Sequence, residues 1–514
     1  MARIALIVTF TIAAASAPAM KCPDIVGASF GPDVKIESAK LMPATAKTPG
    51  HCDVRGTIWP ENKFALKLPT DWNGRFQMVG NGGTAGTISL GPVDNGVRLG
   101  YAAASTDTGH DAAREPLATF GKQGPGNPNA ERKILDFGYL AVHETAALSK
   151  KIIAAYYGKA AHHSYWVGCS TGGRQGFSEA QRYPEDFDGL VIGAPALNIT
   201  GLNMRMIWNG QASSGPGEIK VEKMPALAAA VYGKCDALDG LKDGIIDDPR
   251  KCRFNPGRDL PKCAAGHDAA SCFTPAQIST LERIYGGVKN SAGKLLFPGQ
   301  LPGAEVSVPA GPEGALKSGW ENYLVAPATL PLPRAESYMR YIFLKPPPAD
   351  EWTYRDFNFD KDPARAAQNA HKVNALNPDL RPLKKRGGRI LHYQGWGDAA
   401  VIAQVSLDYR DALVEKLGAA AVKEFYRLYM VPGMFHCTGG VGCSAVDWLT
   451  PMVEWVEKGV APAALTGARV ERGETRRTRP VCPYPQVARY KGTGSIDEAA
   501  NFACAEPAPS SGGE

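Results

Sequence analysis

Short apolar segments alternate with longer segments of helical periodicity through the first 195 residues, and the pattern resumes near residue 387. Most strand predictions rest on alternating or β-branched runs, and residues 22–60 also have β character. The other predicted strands are 64–69, 75–79, 101–107, 165–167, 190–195, 387–394 and 425–431, and the longer predicted helices are 137–157, 400–417 and 448–458. Strands that alternate with helices in this way predict an α/β fold.

The alternation is lost between residues 196 and 380. This stretch carries two pairs of cysteines, many prolines and scattered aromatic residues. We therefore predict a large lid domain (196–380) inserted into a discontinuous catalytic domain (20–195 and 381–505). We expect a disordered tail at 506–514.

The N-terminus has the pattern of a secretory signal peptide over residues 1–19. Arg3 precedes a nearly continuous apolar run from Ile4 to Ala15, and small residues follow. A short anchor helix is the alternative, but the run is shorter than the roughly 20 residues that span a bilayer. We expect a secreted or periplasmic protein with no membrane partner.

Composition and charge narrow the function classes further. The 514 residues are 44% hydrophobic and 21% charged, which is ordinary for a globular protein with a sizeable core. The net charge is +6, and the longest basic run is Lys384–Arg386. Such a weak and dispersed positive charge does not favour a nucleic-acid partner.

The segment from Gly168 to Gly172 has the form G-x-S-x-G, with Ser170 at its centre. A predicted strand precedes it, and a helical pattern follows until Tyr183. Strand, tight turn and helix are the context of the nucleophile elbow of α/β-hydrolases, in which a serine hydroxyl stands clear of the backbone. A glycine-rich turn that happens to contain serine is the alternative for this motif alone.

A second glycine-rich stretch, Gly80 to Gly86, follows the predicted strand 75–79. In α/β-hydrolases this loop supplies one backbone N–H to an oxyanion hole, and the residue after the nucleophile, here Thr171, supplies the other. A phosphate-binding loop is excluded because no Gly-Lys-Ser/Thr follows. A flexible turn remains the alternative.

Asp398 and His436 complete the order Ser, Asp, His, and each lies in the loop after a predicted strand. A histidine that takes the serine proton makes the hydroxyl nucleophilic, and an aspartate fixes the imidazole tautomer. Singly, Asp398 is also typical of a turn and His436 of a loop or helix cap. His110 is disfavoured as the base, because it precedes the serine in the chain.

Eleven cysteines fit an oxidising compartment, and their odd number leaves at least one thiol free or paired with another chain. Cys169 precedes Ser170 and Cys437 follows His436. If the serine and histidine are in hydrogen-bond reach, these neighbours fall within disulfide distance. We therefore expect a bond between them, with two buried free thiols as the alternative.

These motifs resemble those of the tannase/feruloyl esterase family. The resemblance covers nearly the whole mature chain and is carried by Gly168–Gly173, Asp398 and His436–Cys437, and also by 72–76, 83–86, 106–111, 193–195, 431–434 and 479–485. The family implies an α/β-hydrolase fold with a large inserted lid domain. It also implies oxyanion donors on the backbone N–H groups of Gly83 and Thr171. The other disulfides that follow from the resemblance are Cys22–Cys52, Cys235–Cys252, Cys263–Cys272 and Cys482–Cys504, which leaves Cys443 unpaired.

The resemblance further implies a structural Ca²⁺ site in the lid. Its ligands would be the carboxylates of Asp236, Asp239 and Asp243 and the carbonyls of Leu241 and Ile245. Clustered aspartates around glycine turns suit a hard cation, although the spacing is not that of an EF-hand. A solvated acidic loop is the alternative.

The function expected from the family is a serine carboxylesterase for small-molecule aromatic esters, feruloyl (hydroxycinnamoyl) or galloyl, working as a monomer or homodimer. The alternatives are an aryl monoester hydrolase of the mono(2-hydroxyethyl) terephthalate type, a non-catalytic binding protein of the same fold, and a serine peptidase. The sequence offers no arginine at a matched position for a terephthalate carboxylate. The aromatic and apolar residues expected to line the acyl pocket are Trp320, Tyr338, Trp396 and Val401.

Overall fold

The computed structural model of the chain describes residues 19–310, 315–321, 323–325 and 331–507. The central feature is a mixed sheet of nine strands. In chain order these strands are β1 (Val34–Met42), β2 (His51–Ile58), β3 (Asn62–Pro69), β4 (Arg75–Val79), β5 (Ala102–Thr106), β6 (His163–Cys169), β7 (Gly189–Gly193), β8 (Arg389–Gly395) and β9 (Tyr426–Val431).

The strands lie in the order β1-β2-β3-β5-β4-β6-β7-β8-β9. The first four of these are joined by antiparallel pairings, and the sheet is parallel from β5 onward. The central strands are rich in aromatic and β-branched residues, and Trp166, Ile192 and Leu391 are all fully buried. Parallel strands of this composition are typical of a sheet covered on both faces.

Helices cover the sheet and fill the connections. In chain order they are α1 (Leu90–Arg98), α2 (Ala130–Leu135), α3 (Ala141–Tyr157), α4 (Thr171–Arg182), α5 (Ile199–Ala212), α6 (Met224–Cys235), α7 (Pro256–Asp259), α8 (Pro275–Gly286), α9 (Pro331–Tyr338), α10 (Asp362–Ala370), α11 (Arg381–Lys385), α12 (Ala403–Leu417), α13 (Ala419–Phe425) and α14 (Leu449–Lys458). Helix α4 follows β6 directly and packs against β6 and β7.

The chain leaves the sheet after β7 and returns to it only with β8. The intervening segment holds α5 to α11 and two short hairpins, 288–289 with 295–297 and 307–310 with 315–318. The sequence pattern did not reveal these helices, although α8 begins with a local signal. Thr274 and Gln277 form a capping box there, which satisfies the free N–H groups of the first turn.

The C-terminal part contains a hairpin that the sequence pattern also missed. Residues 465–471 pair with 474–481, and a second hairpin joins 487–490 to 502–505. The predicted signal peptide lies outside the described residues except for residue 19, and so does the predicted tail beyond residue 507. None of the helices in the described part of the chain is both long enough and apolar enough to cross a bilayer.

Candidate active site

Three loops at the carboxyl ends of β6, β8 and β9 bring Ser170, Asp398 and His436 together. His436 Nε2 lies 2.9 Å from Ser170 Oγ, and His436 Nδ1 lies 2.8 Å from Asp398 Oδ2. Parallel strands end at the same edge of a sheet, which is why residues so far apart in sequence meet there. The three side chains thus form one continuous hydrogen-bonded chain.

The turn that carries Ser170 has an unusual backbone. Ser170 has φ 62° and ψ −120°, and its N–H donates to the Gly193 carbonyl at 3.0 Å. The turn also lies close to the loop after β4, since a Cβ at Gly80 would stand 2.5 Å from the Gly172 Cα. Glycine is therefore required at Gly80 for the two loops to approach each other.

Asp398 is 1% exposed, and its carboxylate receives four hydrogen bonds. Oδ1 accepts the backbone N–H groups of Ala400 and Val401 at 2.8 Å each, and Oδ2 accepts from Gln394 at 3.1 Å as well as from His436. Because the Asp398 side chain holds the backbone here in a turn, helix α12 begins at residue 403 rather than at the predicted residue 400.

Arg205, which the sequence did not suggest, supports the Asp398 loop from helix α5. Its guanidinium is buried and donates to the Ala399 carbonyl at 3.2 Å and to Gln300 Oε1 at 2.6 Å. Gln300 in turn donates to the Asp398 carbonyl at 3.2 Å. Burial lowers the pKa of Arg205 to about 10, so the side chain is still cationic at neutral pH. The inserted segment thereby fixes one of the loops of the site.

A cavity of about 530 Å³ opens directly onto Ser170 and His436. It is lined from the sheet side by residues 80–83 of the glycine loop (residues 80–86) and by Val401, and from the inserted segment by residues of α5 and α9. The main inserted lining residues are Ile199, Leu202, Asn203, Met206, Tyr323, Arg334 and Tyr338. The predicted oxyanion residues Gly83 and Thr171 also line it.

Two of the four predicted pocket residues, Tyr338 and Val401, line this cavity, but Trp320 and Trp396 do not. Trp320 is fully buried against Tyr285 in a separate apolar cluster. Trp396 is packed beneath the guanidinium of Arg250. Both indoles are therefore used in packing.

Among the described residues, Arg334 is the one arginine or lysine that lines this cavity. Its guanidinium lies 3.8 Å from the Met206 sulfur, and within the described residues it forms no ion pair. No arginine was predicted for this region, because no local motif surrounds Arg334. Its position depends on the packing of α9 over the cavity.

His110 lies under the glycine loop, outside the triad. It is 1% exposed and stacks on Phe120 with ring centroids 4.1 Å apart. A Cβ at Gly86 would stand 2.8 Å from its Nε2. Burial lowers the pKa of His110, which favours the neutral ring in this apolar setting.

Five disulfide bonds join the pairs expected from the sequence. Cys169 and Cys437, whose Cα atoms are 6.0 Å apart, connect the serine loop to the histidine loop. The other four bonds are Cys22–Cys52, Cys235–Cys252, Cys263–Cys272 and Cys482–Cys504. Cys443 is a buried free thiol, and burial raises its pKa to about 11. Five such bonds are consistent with an extracellular protein.

The acidic loop 236–247 concentrates carboxylates in the inserted segment. Asp236, Asp239 and Asp243 each accept a backbone N–H through Oδ1, from Gly244, Leu241 and Ile245 at 2.9 to 3.1 Å. The second Asp243 oxygen receives Arg479 at 2.8 Å.

Asp247 is a further acidic residue in this loop and was not among the predicted calcium ligands. Burial and the nearby carboxylate of Asp239 raise the pKa of Asp247 to about 8. Several oxygen donors with excess negative charge fit a hard divalent cation. The guanidinium of Arg479 offsets part of that charge.

A largely parallel sheet, a strained serine turn after a central strand and an Asp–His pair on later strand ends define an α/β-hydrolase. The chain belongs to the tannase and feruloyl esterase family, whose model matches residues 46–505.

Relatives span most of the chain. It is 35% identical to mono(2-hydroxyethyl) terephthalate hydrolase from Piscinibacter sakaiensis, over 92% of this chain and 87% of that protein. It is 34% identical to a probable feruloyl esterase from Arthroderma benhamiae, over 86% and 82%. The crystal structure of feruloyl esterase B from Aspergillus oryzae superposes with a TM-score of 0.83 at 27% identity, over 94% and 99%. The chain is accordingly a carboxylic ester hydrolase with a small-molecule ester as substrate.

Proposed function

We propose that the protein is an exported serine carboxylesterase that hydrolyses esters of aromatic acids, feruloyl (hydroxycinnamoyl) or galloyl. The observation that carries this proposal is the hydrogen-bonded chain from Asp398 through His436 to Ser170, at the floor of a cavity of about 530 Å³. A cavity of that size accommodates a substituted aromatic acid. The five disulfide bonds support export.

The reaction follows from the hydrogen bonds that join Ser170, His436 and Asp398. His436 Nε2 takes the hydroxyl proton as Ser170 Oγ attacks the ester carbonyl carbon, and Asp398 stabilises the imidazolium. The oxyanion is held by the N–H groups of Gly83 and Thr171. Collapse breaks the bond to the alcohol, which takes the proton from His436. Water, deprotonated by the same histidine, then attacks the acyl carbon. The bond to Ser170 Oγ breaks, Oγ takes the proton back from His436, and the acid leaves.

In this proposal the inserted segment acts as a lid domain over the cavity. Its helices α5 and α9 supply apolar and aromatic side chains that face Ser170 across the cavity. An acyl group bound there is shielded from water on the side away from the sheet. We infer that the acyl preference is set mainly by these residues.

A hydrolysis panel tests the proposal. Methyl ferulate, methyl gallate, mono(2-hydroxyethyl) terephthalate and the non-aromatic ester methyl butanoate are compared for the wild type and Ser170→Ala. We expect the aromatic esters to be preferred by kcat/KM, and Ser170→Ala to lose several orders of magnitude on every substrate. Near-normal turnover by that variant would refute the serine mechanism. A preference for methyl butanoate over methyl ferulate and methyl gallate would refute the aromatic specificity.

The second candidate, an aryl monoester hydrolase of the mono(2-hydroxyethyl) terephthalate type, is favoured by Arg334. Arg334 lines the cavity and forms no ion pair with any described residue, so its guanidinium suits a substrate that carries its own carboxylate. Such a pair would bind the acid end and leave the ester carbonyl at Ser170.

Arg334→Met separates the two candidates. For a carboxylate-bearing substrate, loss of a charge-assisted hydrogen bond of about 1.5–3 kcal/mol lowers kcat/KM roughly 10- to 100-fold. Methyl 2-hydroxyethyl terephthalate, the same substrate with its acid capped, should be unaffected and is the internal control. Equal loss on both substrates would assign Arg334 to packing.

We also propose that the acidic loop holds Ca²⁺ through the carboxylates of Asp236, Asp239 and Asp243 and the carbonyls of Leu241 and Ile245. The turns that orient these carboxylates, and the closure of the loop by Cys235–Cys252, support the proposal. Bound calcium would supply positive charge that stabilises the loop. Its role in this proposal is structural.

A further inference from the structure

The start of the glycine loop is held against helix α4 by a pair of amide side chains. Gln175 accepts the Asn81 backbone N–H at 3.0 Å and donates to Asn81 Oδ1 at 3.0 Å. Asn81 also donates to the carbonyls of Thr87 and Thr106, at 2.8 Å each. Both amides are buried, so this end of the loop is rigidly held.

The middle of the loop has little packing of its own. Gly83 has φ 56°, and a Cβ at that position would meet no atom within 4 Å. A glycine in open space has wide conformational freedom. The hydroxyl of Thr171 donates to the Gly83 carbonyl at 2.5 Å and so restrains this residue.

We propose that the Thr171 hydroxyl is a positioning group for the oxyanion hole. The inference rests on the proposed function, in which the N–H groups of Gly83 and Thr171 receive the oxyanion. Thr171 is the first residue of α4, so its own N–H has no acceptor within the helix. The same residue thus supplies one donor through its backbone and orients the other through its side chain.

Threonine suits this role better than serine would. Two heavy atoms on Cβ restrict its χ1 rotation, so the hydroxyl is held toward Gly83 before substrate binds. Thr171 is only 2% exposed, and its proton is committed to the Gly83 carbonyl. Donors aligned in advance need no reorganisation when negative charge develops on the substrate oxygen.

The test is Thr171→Val, which keeps the backbone N–H and the side-chain shape but removes the hydroxyl. Complete loss of one oxyanion donor costs about 100- to 1,000-fold in kcat, so misorientation of Gly83 should cost roughly 10- to 100-fold. KM for methyl ferulate should change less than twofold, because the oxyanion forms only when Ser170 attacks the ester and is absent from the bound substrate. Affinity for an arylboronic acid, which forms a tetrahedral adduct with the serine, should fall in parallel with kcat.

Two further variants separate positioning from folding. Thr171→Ser restores the hydroxyl and should recover most of kcat. Thr280→Val is the matched control, because that buried hydroxyl also donates to backbone carbonyls, of Ala212 and Ala276, but lies outside the cavity. It should lose similar thermal stability and keep its kcat. If Thr171→Val does not fold, Thr171→Ala carries the same test.

The proposal is overturned if folded Thr171→Val or Thr171→Ala retains wild-type kcat and boronate affinity. It is also overturned if Thr171→Ser is as impaired as Thr171→Val. Neither result would affect the serine mechanism, which stands or falls with the separate loss of turnover in Ser170→Ala.

Discussion

Replacing Ser170 by glycine should make the protein inactive and at the same time more stable than replacing it by alanine. Both substitutions remove Oγ and its hydrogen bond to His436. They differ in the backbone, because residue 170 has φ 62° and ψ −120°, a conformation that glycine adopts without strain and alanine does not. The pair of variants therefore isolates the backbone strain of the nucleophile turn.

The size of the difference follows from two opposing effects. A non-glycine residue in such a region costs of order 1–3 kcal/mol in the folded state. Glycine loses about 0.5–1 kcal/mol more conformational entropy on folding than alanine. The difference leaves Ser170→Gly more stable than Ser170→Ala by roughly 0–2.5 kcal/mol, with about 1 kcal/mol as the central expectation.

Denaturant unfolding of the two variants measures this difference, and hydrolysis of p-nitrophenyl acetate checks that both are inactive. Ser178, which is buried in the regular part of α4, provides the matched control. There the order should reverse, with alanine about 1 kcal/mol more stable than glycine. Lower stability of the glycine variant at both positions would show that the backbone of residue 170 is not strained.

Three other perturbations have definite expected outcomes. Cys169→Ala/Cys437→Ala removes a disulfide bond to which chain entropy alone assigns a stabilisation on the order of 5 kcal/mol, an upper bound because four other disulfides are present. Activity should fall by on the order of a hundredfold while the melting temperature changes little, because the serine and histidine loops are no longer held in position relative to each other. Excess chelator should lower the melting temperature, and added Ca²⁺ should restore it. An unchanged melting curve, together with no calcium detected by elemental analysis, would contradict the proposed metal site. The Arg75 guanidinium lowers the pKa of Glu457 to about 2, so this pair stabilises the fold fully above the ordinary glutamate pKa and loses its effect as pH falls toward 2. Glu457→Gln should therefore lower the melting temperature at pH 7 and converge with the wild type near pH 2; a gap that does not depend on pH would argue against the ion pair.

The sequence predicted the parts of the fold and site that depend on local motifs. The serine turn, the glycine loop and the order of the later loops are set by short segments whose context is visible along the chain. The family match and the similar crystal structure confirm the predicted fold class and the predicted ester hydrolysis. The catalytic roles of Ser170, Asp398 and His436 stay predictions that the variants above test.

Features that depend on packing between distant segments could not be predicted in the same way. Arg205 and Arg334 reach the site from helices within the inserted segment, and no motif marks either of them. Trp320 and Trp396 have the character of pocket residues, yet both are packed against neighbouring side chains. Hydrophobic periodicity identifies a buried face but does not distinguish a core from a cavity wall.

The pairing of β7 with β8 has a consequence for how the molecule acquires activity. Gly189 lies opposite Arg389 in neighbouring strands, so the whole inserted segment must be synthesised before this contact can form. Contacts between such distant parts of a chain are slow to form, because the loop must close before the contacts are gained. Until β8 and β9 join the sheet, the loops that carry Asp398 and His436 cannot reach Ser170. A chain at that stage has a nucleophile without the means to activate it, and the newly made protein is inert until its last strands join the sheet.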